Sequence, residues 1–137
     1  MKIVNMILIG LCIGGCTNKQ PRSTAREKAD LLLEKIGKGG GSEDFPEEFF
    51  PSQQTKLILS ELVNHCDFAN RKGAFVNDYY QKNINGTDLA SFIYEFQLRC
   101  DTIRFILTYQ VPDHGDVKLQ EFKLEPVEEK NTMVLEN

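Results

Sequence analysis

The chain has 137 residues, with 16 basic and 20 acidic side chains and a formal net charge of −4. This length predicts one domain with a real but modest hydrophobic core. The mildly acidic balance, without any block of basic residues, argues against nucleic acid as a partner.

The first sixteen residues have the pattern of an export signal. Lys2 supplies a positive start, and residues 3–15 are almost wholly apolar. This run is shorter than the roughly 20 apolar residues that span a bilayer, so residues 1–15 predict a cleaved signal peptide. The ending Ile13-Gly14-Gly15-Cys16 resembles the lipobox of bacterial lipoproteins. That resemblance implies that Cys16 is acylated, with chains such as palmitate, and anchors the protein in a lipid bilayer. A generic signal with an incidental cysteine, or a buried hydrophobic strand, is the alternative.

The residues after the lipobox bear on location. Residues 16–23 are short and polar, and they predict a lipidated tether. In enterobacterial lipoproteins, which this segment resembles, Asp after the lipidated cysteine favours the inner membrane. Here Thr17 occupies that position, so the resemblance implies the outer membrane, facing the periplasm. Lipid rather than charge would hold the protein there, because each buried acyl carbon contributes about 0.8 kcal/mol.

Two cysteines remain once Cys12 leaves with the signal and Cys16 is acylated. Cys66 and Cys100 form an even pair in an exported, oxidising compartment, which favours a disulfide. In the chain-entropy model such a bond contributes roughly 3–4 kcal/mol. Two buried, reduced thiols are the alternative. Neither cysteine has the paired spacing of a zinc site, so we expect no metal and no cofactor.

Apolar periodicity predicts two helices. In the first, Thr24 and Glu27 form a capping box, and Gly37 is expected to end the helix. Its inward stripe is Ala25, Ala29, Leu32, Leu33 and Ile36. A glycine-rich connection and an acidic loop follow, in which Phe45, Phe49 and Phe50 are expected to plug the domain rather than bind a ligand. Ser52 is expected to cap a second helix over residues 53–66, whose inward residues would be Thr55, Leu59, Leu62, Val63 and Cys66.

From Gly73 onward the apolar period becomes two, which predicts an antiparallel sheet. The first strand, residues 73–82, is irregular, and Asn85-Gly86 indicates the next turn. The second strand places Ala90, Phe92, Tyr94, Phe96, Leu98 and Cys100 inward, and the third places Ile103, Phe105, Leu107, Tyr109 and Val111 inward. In the last strand Val117 and Leu119 differ in parity from Phe122 and Leu124, so we expect a β-bulge near Gln120-Glu121. Pro126 is expected to end the strand, and residues 127–137 predict a flexible tail.

Two helices followed by a meander with a bulged last strand resemble small secreted cystatin-like proteins of the nuclear-transport-factor-two-like superfamily. The motifs are the run from Ala90 to Pro126, its ending VKLQEFKLEP, and the junction from Asn70 to Phe75. The resemblance implies an α+β domain over residues 24–126, with N-terminal helices packed on a curved antiparallel β-meander, a cone. Residues 39–51 interrupt the helical region that most members have. Another α+β lipoprotein with a helix-backed sheet is the competing interpretation.

The fold resemblance does not carry a function with it. Because the sequence contains no catalytic signature, it favours a non-catalytic binding module in the cell envelope. Its partner would be an envelope protein or a small apolar ligand, and an immunity or exclusion role would be one specific form.

Two other functions stay open. An isomerase, dehydratase or hydrolase would use Tyr94, Tyr109 or Asp78 inside the cone, and Tyr79, Tyr94 and Tyr109 are the candidate pocket residues, although buried tyrosines are more often core. A structural envelope component would associate through the outward Ile93 and Ile106. Asp113, His114 and Asp116 could ligate a metal, but in a tight polar hairpin they are more often turn formers.

Overall fold

The computed structural model describes residues 21–82 and 86–127, which form two helices and one antiparallel sheet. The helices are α1 (Pro21–Gly37) and α2 (Ser52–Ser60), and the strands are β1 (Lys72–Gln81), β2 (Thr87–Gln97), β3 (Thr102–Pro112) and β4 (Lys118–Pro126). The strands lie side by side in chain order, and the sheet does not close into a barrel. The predicted α+β class is therefore confirmed. The signal peptide, Asn85 and the tail from residue 128 lie outside the described residues.

No helix within residues 21–82 and 86–127 is long and apolar enough to cross a bilayer.

Helix α1 packs on the sheet through the predicted stripe. All five of its inward residues are buried, which confirms the periodicity. The helix extends back to Pro21, so Thr24 lies inside it and the predicted capping box is wrong. Proline is well placed in a first turn, because the amide that it lacks would have no helical partner there.

Helix α1 ends at Gly37, as predicted, but the left-handed residue that caps this end is a different glycine. Gly39, with φ +91°, is the left-handed residue, rather than Gly37. The Gly40 amide donates to the Lys35 carbonyl at 2.8 Å, and the Gly39 amide donates to the Ile36 carbonyl at 3.0 Å. These two bonds form a Schellman motif, which satisfies the last carbonyls of the helix. Of the several glycines in this segment, Gly39 is therefore the C′ residue of the helix.

Helix α2 is capped by a residue that the sequence did not single out. The Ser52 amide donates to the Glu47 carboxylate at 2.9 and 3.1 Å, and the Ser52 side chain makes no cap, so that prediction is wrong. The helix continues into one π turn, Glu61–His65, which the Cys66 amide closes on the Glu61 carbonyl. Of the expected inward residues, Thr55, Leu59, Leu62 and Cys66 are buried and Val63 is half-buried.

The sheet follows the predicted alternation. Strand β2 ends at Gln97, before the predicted Leu98 and Cys100. The residues expected to face inward on the two central strands are buried, except that Cys100 and Ile103 are half-buried. Between β3 and β4, Thr108 pairs with Glu121 and Tyr109 pairs with Leu119, so Gln120 is the extra residue of a bulge. The predicted bulge is confirmed, and it returns the apolar residues on both sides of it to one face.

Strand β1 carries a second bulge, which explains its irregular sequence. Phe75 pairs with Tyr94 and Asn77 pairs with Ile93, which leaves Val76 unpaired. Residues after the bulge therefore change face relative to simple alternation. At the start of the strand, Gly73 has φ +119°, and a β-carbon there would collide with the Glu95 carbonyl.

The far end of the sheet is clipped to α2. Cys66 and Cys100 form a disulfide, with their Cα atoms 4.6 Å apart. Beside it, the Arg99 guanidinium donates to the carbonyls of Asn64 at 2.7 Å and His65 at 3.2 Å. These contacts satisfy the carbonyls that the end of the α2 segment leaves open.

Candidate binding cleft

The space between α1 and the inner face of the sheet is filled by side chains. Phe92, Phe105 and Leu107 are fully buried in it. Phe68 completes this layer, with its ring centroid 5.3 Å from that of Phe105 and 5.6 Å from that of Phe96. An interior this densely packed leaves no room there for a substrate.

At the rim, a cleft of about 500 Å³ opens between α1, the loop of residues 43–48 and the start of β4. This volume lies within the usual range for ligand sites. The cleft is rich in charge, with basic residues Lys28, Lys35 and Lys118 and acidic residues Glu43, Asp44, Glu48 and Asp116. Its apolar lining includes Leu31, Val117 and Leu119.

Two lysines of α1 hold the walls of the cleft together. Lys28 Nζ donates to the Val117 carbonyl at 2.9 Å, which ties the helix to the hairpin before β4. Lys35 Nζ lies 3.3 Å from the Asp44 carboxylate and 3.5 Å from that of Glu43. The hydrogen bond and charge of Asp44 raise the pKa of Lys35. The helix therefore positions both the loop and the hairpin.

Tyr109 lies at the bottom of the cleft, on β3. Its side chain is only 3% exposed. Burial raises the pKa of its phenol, and the negative charges of Asp44 and Asp30 raise it further. Within the described part of the chain, no residue makes a hydrogen bond with the hydroxyl, and the oxygen is not sealed from solvent. It is therefore a nearly buried polar group that a ligand or water can reach.

Tyr94 is buried to the same extent but its hydroxyl is fully engaged. It donates to the Asp30 carboxylate at 2.6 Å. Asp30 also forms an ion pair with Arg26, whose guanidinium lies 3.7 Å above the Phe75 ring. Burial, followed by the hydrogen bond to Asp30, raises the pKa of Tyr94. This tyrosine joins α1 to the sheet.

Tyr79 lies on the opposite face of the sheet. It pairs with Ser91 beyond the β1 bulge and is 50% exposed. It lines a shallow groove with Ser91 and Thr108, whose hydroxyls are 2.8 Å apart. The three candidate pocket tyrosines are thus not brought into one site. The bulge in β1 places Tyr79 on the outer face, and the hydroxyl of Tyr94 is hydrogen-bonded to Asp30.

The other candidate residues are dispersed. Asp78 accepts a hydrogen bond from the Tyr80 hydroxyl at 3.0 Å, on the edge strand. Asp113 and His114 are exposed in the hairpin, whereas Asp116 lines the cleft. No group of three or more potential metal ligands occurs among residues 21–82 and 86–127.

The outward isoleucines and the loop phenylalanines have clear positions. Ile93 and Ile106 pair across β2 and β3 on the outer face, and both are half-buried. Phe45 is buried and its ring packs on Phe122 and on the half-buried Phe50. Phe49 is 52% exposed, so the prediction that all three phenylalanines plug the domain is wrong for this residue.

The sequence did not single out most of the charged residues of the cleft. Lys28, Leu31 and Lys35 follow one another at helical spacing, which places them on one side of α1. That spacing could have indicated the helical wall. The acidic loop carried no comparable signal, because its position against α1 depends on contacts such as that between Lys35 and Asp44.

No protein-family model, curated protein or solved structure matches this chain. The resemblance to cystatin-like lipoproteins therefore stays a prediction that sequence patterns alone support. The lipidation site, Cys16, lies outside the described residues.

Proposed function

We propose that this protein is a lipid-anchored, non-catalytic binding module of the bacterial cell envelope, and that the cleft beside α1 holds its partner. The observation that carries this proposal is the contrast between a filled interior and an open rim cleft whose least exposed polar residue, Tyr109, has a hydroxyl with no hydrogen bond to any described residue. The lipobox-like ending at Cys16 supports the anchor and, with Thr17, an outer-membrane location facing the periplasm.

The chemistry of the cleft favours binding over catalysis. General acid–base catalysis needs a group whose pKa lies near the working pH. The pKa of Tyr109 is raised, so its phenol stays protonated at neutral pH. The carboxylates of Asp44 and Glu43 share the Lys35 ammonium, so both already have a partner. Such groups hold a partner by hydrogen bonds and charge rather than by moving protons.

The anchor would also restrict how the domain stands on the bilayer. The chain from Cys16 to Pro21 can reach at most about 18 Å when fully extended. The start of α1 would therefore lie close to the membrane, together with the end of β1, where Arg22 stacks on the Tyr80 ring at 4.1 Å. The disulfide at the other end of the sheet would point into the periplasm.

Site-specific photo-crosslinking in the native host tests this proposal. A crosslinking residue at Leu31, which is 59% exposed on the cleft wall, probes the site, and one at the comparably exposed Tyr79 is the matched control on the outer face. We expect one dominant envelope protein from Leu31, lost in a Cys16→Ser background. Stronger capture from Tyr79 would favour a structural component that uses the outer face, and no capture from either position would contradict a binding module.

A further inference from the structure

We infer that the cleft binds a basic, partly apolar peptide segment of a partner protein, with an ammonium or guanidinium group held between the Tyr109 hydroxyl and the acidic wall. This inference rests on the proposed function, and it names the class of partner for the same cleft.

The charge around the cleft is the first reason. Four acidic side chains and three basic ones line it. Lys35 already sits between the carboxylates of Asp44 and Glu43, so one positive charge is shared by two negative ones. The exposed carboxylates of Glu48 and Asp116 form no ion pair with any residue that the structure describes. Lys28 and Lys118 balance those two carboxylates in number, so the lining as a whole carries a net charge of −1, which favours a cationic partner.

The buried hydroxyl is the second, independent reason. The Tyr109 hydroxyl makes no hydrogen bond to any described residue and is not sealed from solvent, so a ligand group in the cleft can bond to it in place of water. An ammonium or guanidinium is always a donor, and the phenol oxygen can accept from it. The negative charges of Asp44 and Asp30 act on this hydroxyl, and they would compensate a cation placed beside it. An anionic ligand group at the same point would be repelled by these two carboxylates.

The apolar surfaces indicate a peptide rather than a small amine. Leu31 is exposed on the cleft wall, and Val117 and Leu119 lie in its lining. The long stem of a lysine or arginine can pack along apolar surface while its charged end reaches polar groups. A neighbouring apolar side chain of the same segment would cover Leu31, which a small polyamine would leave in water.

The test uses the full-length lipidated protein in nanodiscs and three fluorescent pentapeptides, with the cores Ala-Lys-Leu-Lys-Ala, Ala-Gln-Leu-Gln-Ala and Ala-Glu-Leu-Glu-Ala. Fluorescence anisotropy measures their dissociation constants at low salt, where surface charge is least screened. We expect the lysine peptide to bind at least tenfold more tightly than the glutamate peptide, with the glutamine peptide between them. Equal binding of the lysine and glutamate peptides would overturn the inference.

Variants of the cleft sharpen the result. Tyr109→Phe should weaken the lysine peptide about tenfold, because it removes a hydrogen bond to a charged group, and should leave the melting temperature unchanged. Glu48→Gln should weaken it by roughly two- to fivefold, as expected for an exposed charge. Asp113→Asn, which alters an exposed acid of the same hairpin outside the cleft, should have no effect. Unchanged binding in Tyr109→Phe would contradict the proposed role of the hydroxyl.

The failures of the two proposals can be told apart. If photo-crosslinking from Leu31 captures a partner but no lysine peptide binds, the inferred class of partner is wrong and the binding module stands. If the peptide binds but the envelope yields no crosslinked protein, the proposed function fails. Spermidine that binds as tightly as the lysine peptide would replace the peptide with a small polyamine, and so overturn the inference.

Discussion

Tyr94 and Tyr109 show how two equally buried residues can belong to different regions of one molecule. Both are 3% exposed and lie on the inner face of neighbouring strands. In the packed region, α1 presents Asp30 to Tyr94, and the two side chains form a hydrogen bond of 2.6 Å. In the cleft region, α1 presents Lys28, Leu31 and Lys35, and none of them contacts the Tyr109 hydroxyl by a hydrogen bond. Burial alone therefore does not distinguish a core tyrosine from a cleft tyrosine, whereas the presence or absence of a hydrogen-bond partner for its hydroxyl does.

The largest difference between the two regions should appear in the free energy of unfolding. Phe105 is fully buried, with ring centroids of Phe96 and Phe122 at 5.4 and 6.0 Å. Phe105→Ala should cost about 3–5 kcal/mol, because it opens a cavity in a packed interior. Leu31→Ala on the cleft wall should cost less than about 0.5 kcal/mol beyond any change in helix propensity. Urea denaturation measures both, and similar losses would contradict the division into core and cleft.

Tyr94→Phe and Tyr109→Phe each remove one hydroxyl oxygen, so their free energies of unfolding compare the two regions directly. Tyr94→Phe should cost about 1–2 kcal/mol, because it removes a hydrogen bond to a carboxylate and leaves Asp30 without that donor. Tyr109→Phe should cost less than about 0.5 kcal/mol, because its hydroxyl has no partner within the described chain. The same urea experiment applies. A loss in Tyr109→Phe as large as that in Tyr94→Phe would show that the hydroxyl is structural.

Alkaline pH should act on both tyrosines. The pKa of each phenol is raised above its ordinary value of about 10, so the folded state keeps a proton that the unfolded state releases. Their stabilising contribution is complete below pH 10 and is lost progressively as the pH rises above it. Between pH 8 and pH 11, the free energy of unfolding should therefore fall by about 1 kcal/mol less in each Tyr→Phe variant than in the wild type. Urea denaturation at pH 8 and pH 11 measures this difference. An equal fall in the free energy of unfolding in the wild type and both variants would contradict the prediction.

The smallest effect is expected on the outer face of the sheet, away from both regions. Arg104 forms ion pairs with Glu95 at 2.9 Å and Glu125 at 3.4 Å, and all three side chains are about one-third exposed. Exposed pairs of this kind contribute little, so Arg104→Gln should cost less than about 1 kcal/mol, and less still in high salt. A double-mutant cycle with Glu95→Gln measures the coupling. A coupling energy between Arg104 and Glu95 that exceeds the cost of Tyr94→Phe would contradict this prediction.

Most of the secondary structure could be predicted because its signals are local. The alternation in β2 and β3 shows in consecutive residues, and the change of parity between Leu119 and Phe122 was enough to predict the β4 bulge. The β1 bulge left no such signal, because Val76 and its neighbours do not alternate clearly. The caps of α1 were misassigned for a related reason, since Thr24 lies inside the helix and Gly39 rather than Gly37 is the left-handed residue after it.

The cleft is where the sequence was least informative. Tyr109 was a candidate, but so were Tyr79 and Tyr94, and the alternation pattern alone could not rank them. Their ranking depends on which residues of distant segments face them. Asp30 reaches Tyr94 from 64 residues away along the chain, and the acidic loop is held beside α1 by the contact of Lys35 with Asp44 and by the packing of Phe45 on Phe122.

The amino-acid sequence by itself determined the α+β class, the inward face of each central strand and the bulge in β4, because backbone periodicity and side-chain parity act over a few residues. The tertiary structure alone decided which polar groups find partners. A hydrogen bond such as that from Tyr94 to Asp30 requires a helix and a strand at one distance and one rotation. The same packing leaves a gap where α1, the acidic loop and the β4 hairpin meet, and that gap exposes Tyr109 to a cleft that its sequence context does not reveal.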